Sequence, residues 1–359
     1  MDRIYNFAAG PATLPLEVLK EVQKEFLNYN KTGVSILELS HRSQAFSNLI
    51  KEIEQDLRDL MHIPSNYKVM FAQGGATTQF AAIAMNLMKN KKADYIVTGI
   101  FSKNAAEEAK IFGDVKIVAD GSSSQFRKIP DCSNLPIRDD ADYVYYCDNN
   151  TVYGTKFKAI PNSKGKPLVV DQSSCFLSEP IDVSKFGVVY AGIQKNAGPA
   201  GLAIVIVRED LIREKLSFPT PTMLNWKIQS DKESLYNTPN SFAIYFVGKT
   251  LKWIKKQGGI EAIQKKNIEK AKLLYDYLDN SKYVKVADVN SRSMMNVTFN
   301  CGNEELDKKF IEEASKQGIS FIKGHRAVGG MRASIYNAMS KEGVVTLIEF
   351  MKKFEKENL

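Results

Sequence analysis

Short, continuously apolar segments recur along the chain, most of them followed by a stretch with helical spacing, and no other feature constrains the fold as strongly. Residues 69–72, 95–98, 115–119, 143–147, 168–170, 188–191 and 202–207 are the strand candidates. A strand that is apolar at every position has no solvent-facing side, so both faces of its sheet must be covered. Helical stretches accompany these segments: one from Ser43, where Phe46, Leu49, Ile50, Ile53, Leu57 and Leu60 share one face, a second after residues 69–72 through Met88, and a third over 105–111. The expectation is an α/β fold with a mostly parallel, seven-stranded sheet covered by helices.

The rhythm changes after Trp253, where Gly258-Gly259 ends a helix and a long one follows over 260–278. Strands at 284–286, 294–299, 320–322 and 331–335 then mix with helices at 304–317 and 344–354, an α+β pattern. At about 150 residues per domain, 359 residues suggest two domains. We expect a large domain over residues 16–258 and a small one built from 259–359 with the N-terminal arm, 1–15.

Composition narrows the function classes. Forty-nine Lys and Arg against 41 Asp and Glu leave a net charge of +8, spread along the chain, which suits either a solvated surface or an anionic partner. No aromatic-basic RNA motif or basic amphipathic helix accompanies it, so neither nucleic acid nor membrane is expected as a partner. The four cysteines, Cys132, Cys147, Cys175 and Cys301, have no CxxC spacing, which argues against a zinc knuckle or redox pair. No apolar leader opens the sequence and no run approaches the ~18 residues of a membrane span, so a cytoplasmic enzyme is expected.

Chemistry-bearing residues gather where strand candidates end. Val188-Val189-Tyr190-Ala191-Gly192-Ile193-Gln194-Lys195 delivers an amine into the small-residue turn Asn196-Ala197-Gly198-Pro199-Ala200-Gly201. Open α/β sheets bind ligands at such carboxyl edges, and a partly desolvated lysine there can act as a nucleophile. An ordinary surface lysine fits the stretch equally well. Asp171 ends another apolar strand; alone it could be a helix cap, but paired with a lysine it supplies the acid that pyridoxal phosphate enzymes place beside the pyridine nitrogen. Gln73-Gly74-Gly75-Ala76-Thr77-Thr78 opens a helix as a phosphate-binding turn would, without the spacing of a P-loop or dinucleotide fingerprint. Phe101 follows a strand and could stack on a planar ring or sit in the core. His41-Arg42 and the string Gly324-His325-Arg326-Ala327-Val328-Gly329-Gly330-Met331-Arg332 add cations suited to carboxylate or phosphate. His62 reads as a structural residue at a helix end.

With these residues in view, the sequence resembles the phosphoserine aminotransferase family, class V within the fold-type I pyridoxal phosphate enzymes. The resemblance spans nearly the whole chain, from Phe7-Ala8-Ala9-Gly10-Pro11-Ala12 to Arg332-Ala333-Ser334. Its most specific strings are residues 191–201, Tyr236-Asn237-Thr238-Pro239 and 324–334. It implies reversible amino transfer between L-glutamate and 3-phosphonooxypyruvate, giving O-phospho-L-serine and 2-oxoglutarate in serine biosynthesis. Some members also act on 3-hydroxy-2-oxo-4-phosphonooxybutanoate in vitamin B6 biosynthesis. The resemblance further implies that Lys195 carries pyridoxal 5'-phosphate and performs catalysis, and that Asp171 pairs with the ring nitrogen. Thr151 would lie on the ring hydroxyl side, with Phe101 against the ring. The phosphate would sit on Ala76, Thr77 and Gln194, completed by Asn237 and Thr238 of a second subunit, so a homodimer with shared active sites is implied. His41 and Arg42, with His325 and Arg326 from the partner, would hold the distal anion, and Arg332 the α-carboxylate.

Three positions depart from the family pattern. Phe101 stands where tryptophan is usual, Thr77 where one branch has arginine, and Ile193 where alanine is more usual. Neighbouring activities fit less well: a cysteine desulfurase needs a reactive cysteine on a mobile loop, and an alanine–glyoxylate type enzyme has no use for a cationic distal pocket.

Overall fold

The computed structural model describes residues 3–359; Met1 and Asp2, the start of the expected arm, lie outside the described residues. Its strands are β1 (Tyr5–Asn6), β2 (Tyr67–Gln73), β3 (Lys92–Val97), β4 (Asp114–Asp120), β5 (Val144–Cys147), β6 (Asn149–Asn150), β7 (Thr155–Lys156), β8 (Leu168–Asp171), β9 (Val188–Gly192), β10 (Leu202–Arg208), β11 (Val284–Lys285), β12 (Asn296–Asn300), β13 (Ile319–Ser320) and β14 (Met331–Ser334). The helices are α1 (Leu16–Glu25), α2 (Gln44–Met61), α3 (Ala76–Leu87), α4 (Ile100–Ala109), α5 (Trp226–Asp231), α6 (Ser241–Lys256), α7 (Gly259–Asp279), α8 (Glu304–Lys316) and α9 (Lys341–Asn358).

Seven strands form one sheet in the order β2-β10-β9-β8-β5-β3-β4. The pairs from β9 to β4 are parallel, while β10 runs antiparallel to both its neighbours. Successive residues in the central strands enter different cores, which is why their sequences are unbroken apolar runs. Val170, Val189 and Ile204 pack with Phe46 and Ile53 of α2 and Val247 and Leu251 of α6. Their neighbours Val169, Val188 and Val205 pack on the opposite face with Phe80 and Ile83 of α3 and Ala105 and Ala109 of α4. Helix α2 starts on the Ser43 hydroxyl, which accepts from the Phe46 amide, and stops at His62 in the left-handed conformation, so that histidine does stand at a helix end.

A second core gathers Leu274 and Leu278 of α7, Phe310 of α8, Phe350 and Phe354 of α9, and Phe299 and Met331 of the antiparallel sheet β11-β12-β14. Helix α7 joins the two, with Ile260 and Ile263 in the first core and Leu274 and Leu278 in the second. The N-terminal arm enters the second core through Phe7, and β1 pairs in parallel with β13. That pairing uses Ile319 and Ser320, so the strand expected at 320–322 is shorter and begins one residue earlier. Alternation along β12 and β14 turns Val297, Phe299, Met331 and Ala333 into this core and leaves Asn296, Thr298, Arg332 and Ser334 on the other face. Asn296 and Thr298 on that face meet the large sheet's carboxyl edge: Asn296 Oδ1 accepts from the Asn149 side-chain amide, and Thr298 Oγ1 donates to the Tyr153 carbonyl.

Candidate active site

Strands β5, β8 and β9 end side by side, with Cys147 opposite Asp171 and Asp171 opposite Tyr190. The segments that follow them therefore converge on one cavity of about 310 Å³, closed by the N-terminal arm and by the second core's polar face. Ala9 and Gly10 of the arm, Asp171, Lys195, His325 and Arg332 are all in its wall.

Lys195 follows β9 by three residues and is 9% exposed. Its Nζ donates to Thr151 Oγ1 at 2.8 Å and lies 5.3 Å from the Phe101 ring centroid. The arm presses against the lysine stem: a Cβ at Gly10, whose φ is +145°, would stand 3.5 Å from Lys195 Cγ. Asp171 is 4% exposed, with Oδ1 accepting from the Ser173 amide at 2.8 Å and Oδ2 from the Tyr190 hydroxyl at 3.2 Å. Two donors thus hold the buried carboxylate in place, one on each oxygen.

At the cavity's other end, the turn Gly74-Gly75 leads into α3. Gly74 has φ +97°, a region that disfavours side chains, and no side chain caps α3 at Gly75. The Ala76 and Thr77 amides in the cavity wall are therefore left to a ligand, and the helix dipole favours an anion there. Gln194 closes this corner, its Oε1 standing 2.7 Å from where a Gly192 Cβ would be, so a side chain at 192 would displace it.

Arg332 reaches the cavity from β14, and its Nε is buried with no hydrogen-bond partner. Burial holds its pKa below the usual arginine value. An unpartnered buried guanidinium marks a place for an oxyanion. Beside it His325 Nδ1 accepts from the Ala327 amide at 3.2 Å, which leaves Nε2 as the hydrogen-bearing nitrogen of the neutral ring. Burial, and then the charges of Arg332 and Arg326, push the His325 pKa down.

The structure thus brings Ala76, Thr77, Phe101, Thr151, Asp171, Gln194, Lys195, His325 and Arg332 to one cavity. His325 is in the wall of its own chain's cavity, whereas the family resemblance led us to expect it from a partner. The remaining expected residues stand outside. Arg326 and Arg42 are exposed, and His41 lies before α2 with its Nε2 buried and unpartnered. Asn237 and Thr238 meet the chain's own Gln73, whose side-chain amide donates to Asn237 Oδ1 at 3.1 Å and to the Thr238 carbonyl at 2.8 Å.

Sequence reasoning passed over Asn149, Ser173 and Ser174. Ser173 Oγ accepts from the Gly192 amide at 3.0 Å, and Asn149 donates to Ser174 Oγ and Asn296 Oδ1, both at 2.8 Å. A signal existed: Asn149-Asn150 and Ser173-Ser174 are polar doublets just beyond fully apolar strands.

A lysine amine over an aromatic face, a carboxylate across the same cavity and anion sites at two ends are what a pyridoxal-phosphate aminotransferase requires. The family model described as "Aminotransferase class-V" matches residues 4–347, so fold and site define a class-V aminotransferase. The chain is 51% identical to the phosphoserine aminotransferase of Bacillus cereus, over 100% of both sequences. Among solved structures, the phosphoserine aminotransferase of Bacillus circulans subsp. alkalophilus superposes with a TM-score of 0.97 at 44% identity, covering 100% of both chains. A PLP-bound phosphoserine aminotransferase from Trichomonas vaginalis gives 0.94 at 37% identity, covering 98% of this chain and 100% of that one. The chain belongs to the phosphoserine aminotransferase family.

Proposed function

We infer that this protein is a pyridoxal-phosphate-dependent aminotransferase that moves an amino group reversibly between L-glutamate and 3-phosphonooxypyruvate, in serine biosynthesis. The observation that carries the reading is a single cavity whose wall holds Lys195, Asp171 and Arg332, the last with its Nε buried and unpartnered.

The residues present fit the cofactor. We assign Lys195 Nζ as the amine that holds it, Asp171 as partner of its ring nitrogen, the Phe101 face as the surface it stacks on, and the α3 amides with Gln194 as its phosphate cradle. Thr151 is placed for the ring hydroxyl. When bound, the group supplies an electron sink for the charge that develops at the substrate Cα.

Everything else falls to the chain. Lys195 Nζ, once exchanged for the substrate amine, takes the Cα proton as general base, a role worth typically 10²–10⁴-fold. Thr151 Oγ1 aims that amine. Arg332 grips the α-carboxylate with two parallel hydrogen bonds, fixing the Cα–H bond toward the lysine. His325 faces the distal anion, which is a γ-carboxylate in one half-reaction and a phosphate in the other. Its Nε2–H can donate to either oxyanion. Ala9 and Gly10 cover the lysine and exclude water, which would otherwise compete for the proton.

Residues outside this cavity support a homodimer. Asn237, Thr238, His41 and Arg42 fall short of their own chain's cavity but include the cations and amide that a second copy's phosphate and distal anion call for. We propose that they complete the partner's site. The function is tested by assaying O-phospho-L-serine against L-serine with 2-oxoglutarate as acceptor. The phosphorylated substrate should give a kcat/KM about a hundredfold higher, the loss expected when a buried charged partner is left empty. Equal values for the two substrates would overturn the assignment.

A further inference from the structure

Behind Asp171, the sheet face that packs on α3 and α4 is filled by Tyr95, Tyr143, Tyr145 and Tyr190, each at most 1% exposed. A buried phenol needs a hydrogen-bond partner, and the four hydroxyls find theirs in two unequal ways. Tyr95 and Tyr143 share a hydrogen bond of 2.7 Å, and among the described residues it goes no further. Tyr145 and Tyr190 share another of 2.7 Å, and Tyr190 also reaches Asp171 Oδ2 at 3.2 Å. An ionised carboxylate can only accept. Tyr190 is therefore the donor to Asp171, and Tyr145 in turn the donor to Tyr190.

Strand register builds this chain. Tyr190 lies opposite Asp171 across β9 and β8, and Tyr145 stands two residues before Cys147, which faces Asp171 from β5. All three side chains thus share one face of the sheet. Burial, and next the charge of Asp171, push both phenol pKa values far up, so they remain donors wherever the enzyme works. With the Ser173 amide on Oδ1, each carboxylate oxygen has its own donor.

We propose that Tyr190, backed by Tyr145, is a positioning residue that keeps the Asp171 carboxylate turned toward the ring nitrogen of the bound cofactor. The proposal rests on the pyridoxal phosphate reading of the cavity. Loss of the Tyr190 donor frees one carboxylate oxygen to rotate, which weakens the hold on the ring.

The test compares Tyr190→Phe, Tyr145→Phe and Tyr143→Phe with the unmodified protein. It reads the dissociation constant of added pyridoxal 5'-phosphate and the nitrogen-15 resonance of the ring-labelled cofactor in the holoenzyme. Tyr190→Phe should weaken binding about tenfold and move the resonance toward the unprotonated ring. Tyr145→Phe should act in the same direction by about two- to threefold, since it removes a donor one step away. Tyr143→Phe removes an equally buried hydroxyl that does not reach Asp171, and should leave both readouts unchanged. The proposal fails if Tyr190→Phe leaves resonance and affinity as they were, or if Tyr143→Phe moves them as far. Should Tyr190→Phe not fold, Tyr145→Phe set against Tyr143→Phe decides, and equal shifts again refute it. Failure of the unmodified protein to bind the cofactor would instead overturn the reading of the cavity, before any variant is compared.

Discussion

His325 is the residue whose charge state carries most consequence. Its free-enzyme pKa lies below the ordinary histidine value because of burial and then two neighbouring arginines. Near neutral pH the ring is then mostly uncharged, and an arriving phosphate favours the protonated form, so binding takes up a proton. The sign follows: affinity for O-phospho-L-serine falls as pH rises, by about tenfold per pH unit between the free and bound pKa values, and levels off above the bound one. His325→Asn should remove that component and leave only the titration of the substrate's own phosphate. Titration calorimetry from pH 5.5 to 8.5, roughly the span over which a histidine changes charge, measures it. A variant with an unaltered pH profile would show that the imidazole does not face the anion.

At the scale of elements, the α3 N-terminus is the part most sensitive to a single atom. Gly74 combines φ +97° with a Cβ position only 2.7 Å from Thr78 Oγ1. Gly74→Ala should lower stability by about 1–2 kcal/mol, seen in the denaturant midpoint, and weaken cofactor binding by distorting the amides that receive its phosphate. Wild-type stability would mean that the turn relaxes without strain.

The sheet strands could be read from sequence because they are buried on both faces, as at Val169-Val170 and Val188-Val189. Lys195 and Asp171 were visible for a related reason: each is the polar residue delivered where such a run stops. Less was legible where a few residues pair over long separations. Tyr5–Asn6 joins Ile319–Ser320 as a two-residue strand with no periodicity of its own. The buried link from Asn149 through Asn296 to Tyr336 and the Ala9 carbonyl also joins segments far apart in sequence. Arginine chemistry suggested an anion for Arg332, but the alternation along β14 that turns it into the cavity emerges only once Met331 and Ala333 are seen in the second core.

For the whole molecule, the division of labour between subunits is the strongest consequence. If Asn237 serves the partner's cavity, a Lys195→Ala chain and an Asn237→Ala chain, each deficient alone, should restore activity when refolded together. Random pairing gives half heterodimers with one intact site each, so recovery should reach about a quarter of wild type. Absence of recovery in a mixture that sedimentation shows to be dimeric would place Asn237 at its own chain's site or at none.

The surplus positive charge looks different at this scale. Arg332 and His325 face the cavity, whereas many lysines form exposed pairs such as Lys68 with Glu209 and Lys272 with Asp276. Such pairs contribute little to stability. No helix among the described residues is long and apolar enough to cross a membrane.

The central claim is that one amine, Lys195 Nζ, holds the cofactor and moves the proton. Borohydride reduction of the holoenzyme followed by peptide mapping tests it directly. The cofactor's mass should be fixed on the peptide containing Lys195, with activity lost in proportion, and Lys195→Ala should incorporate none and turn over at least about 10²-fold more slowly. Label on another lysine, or a Lys195→Ala variant at full rate, would contradict it.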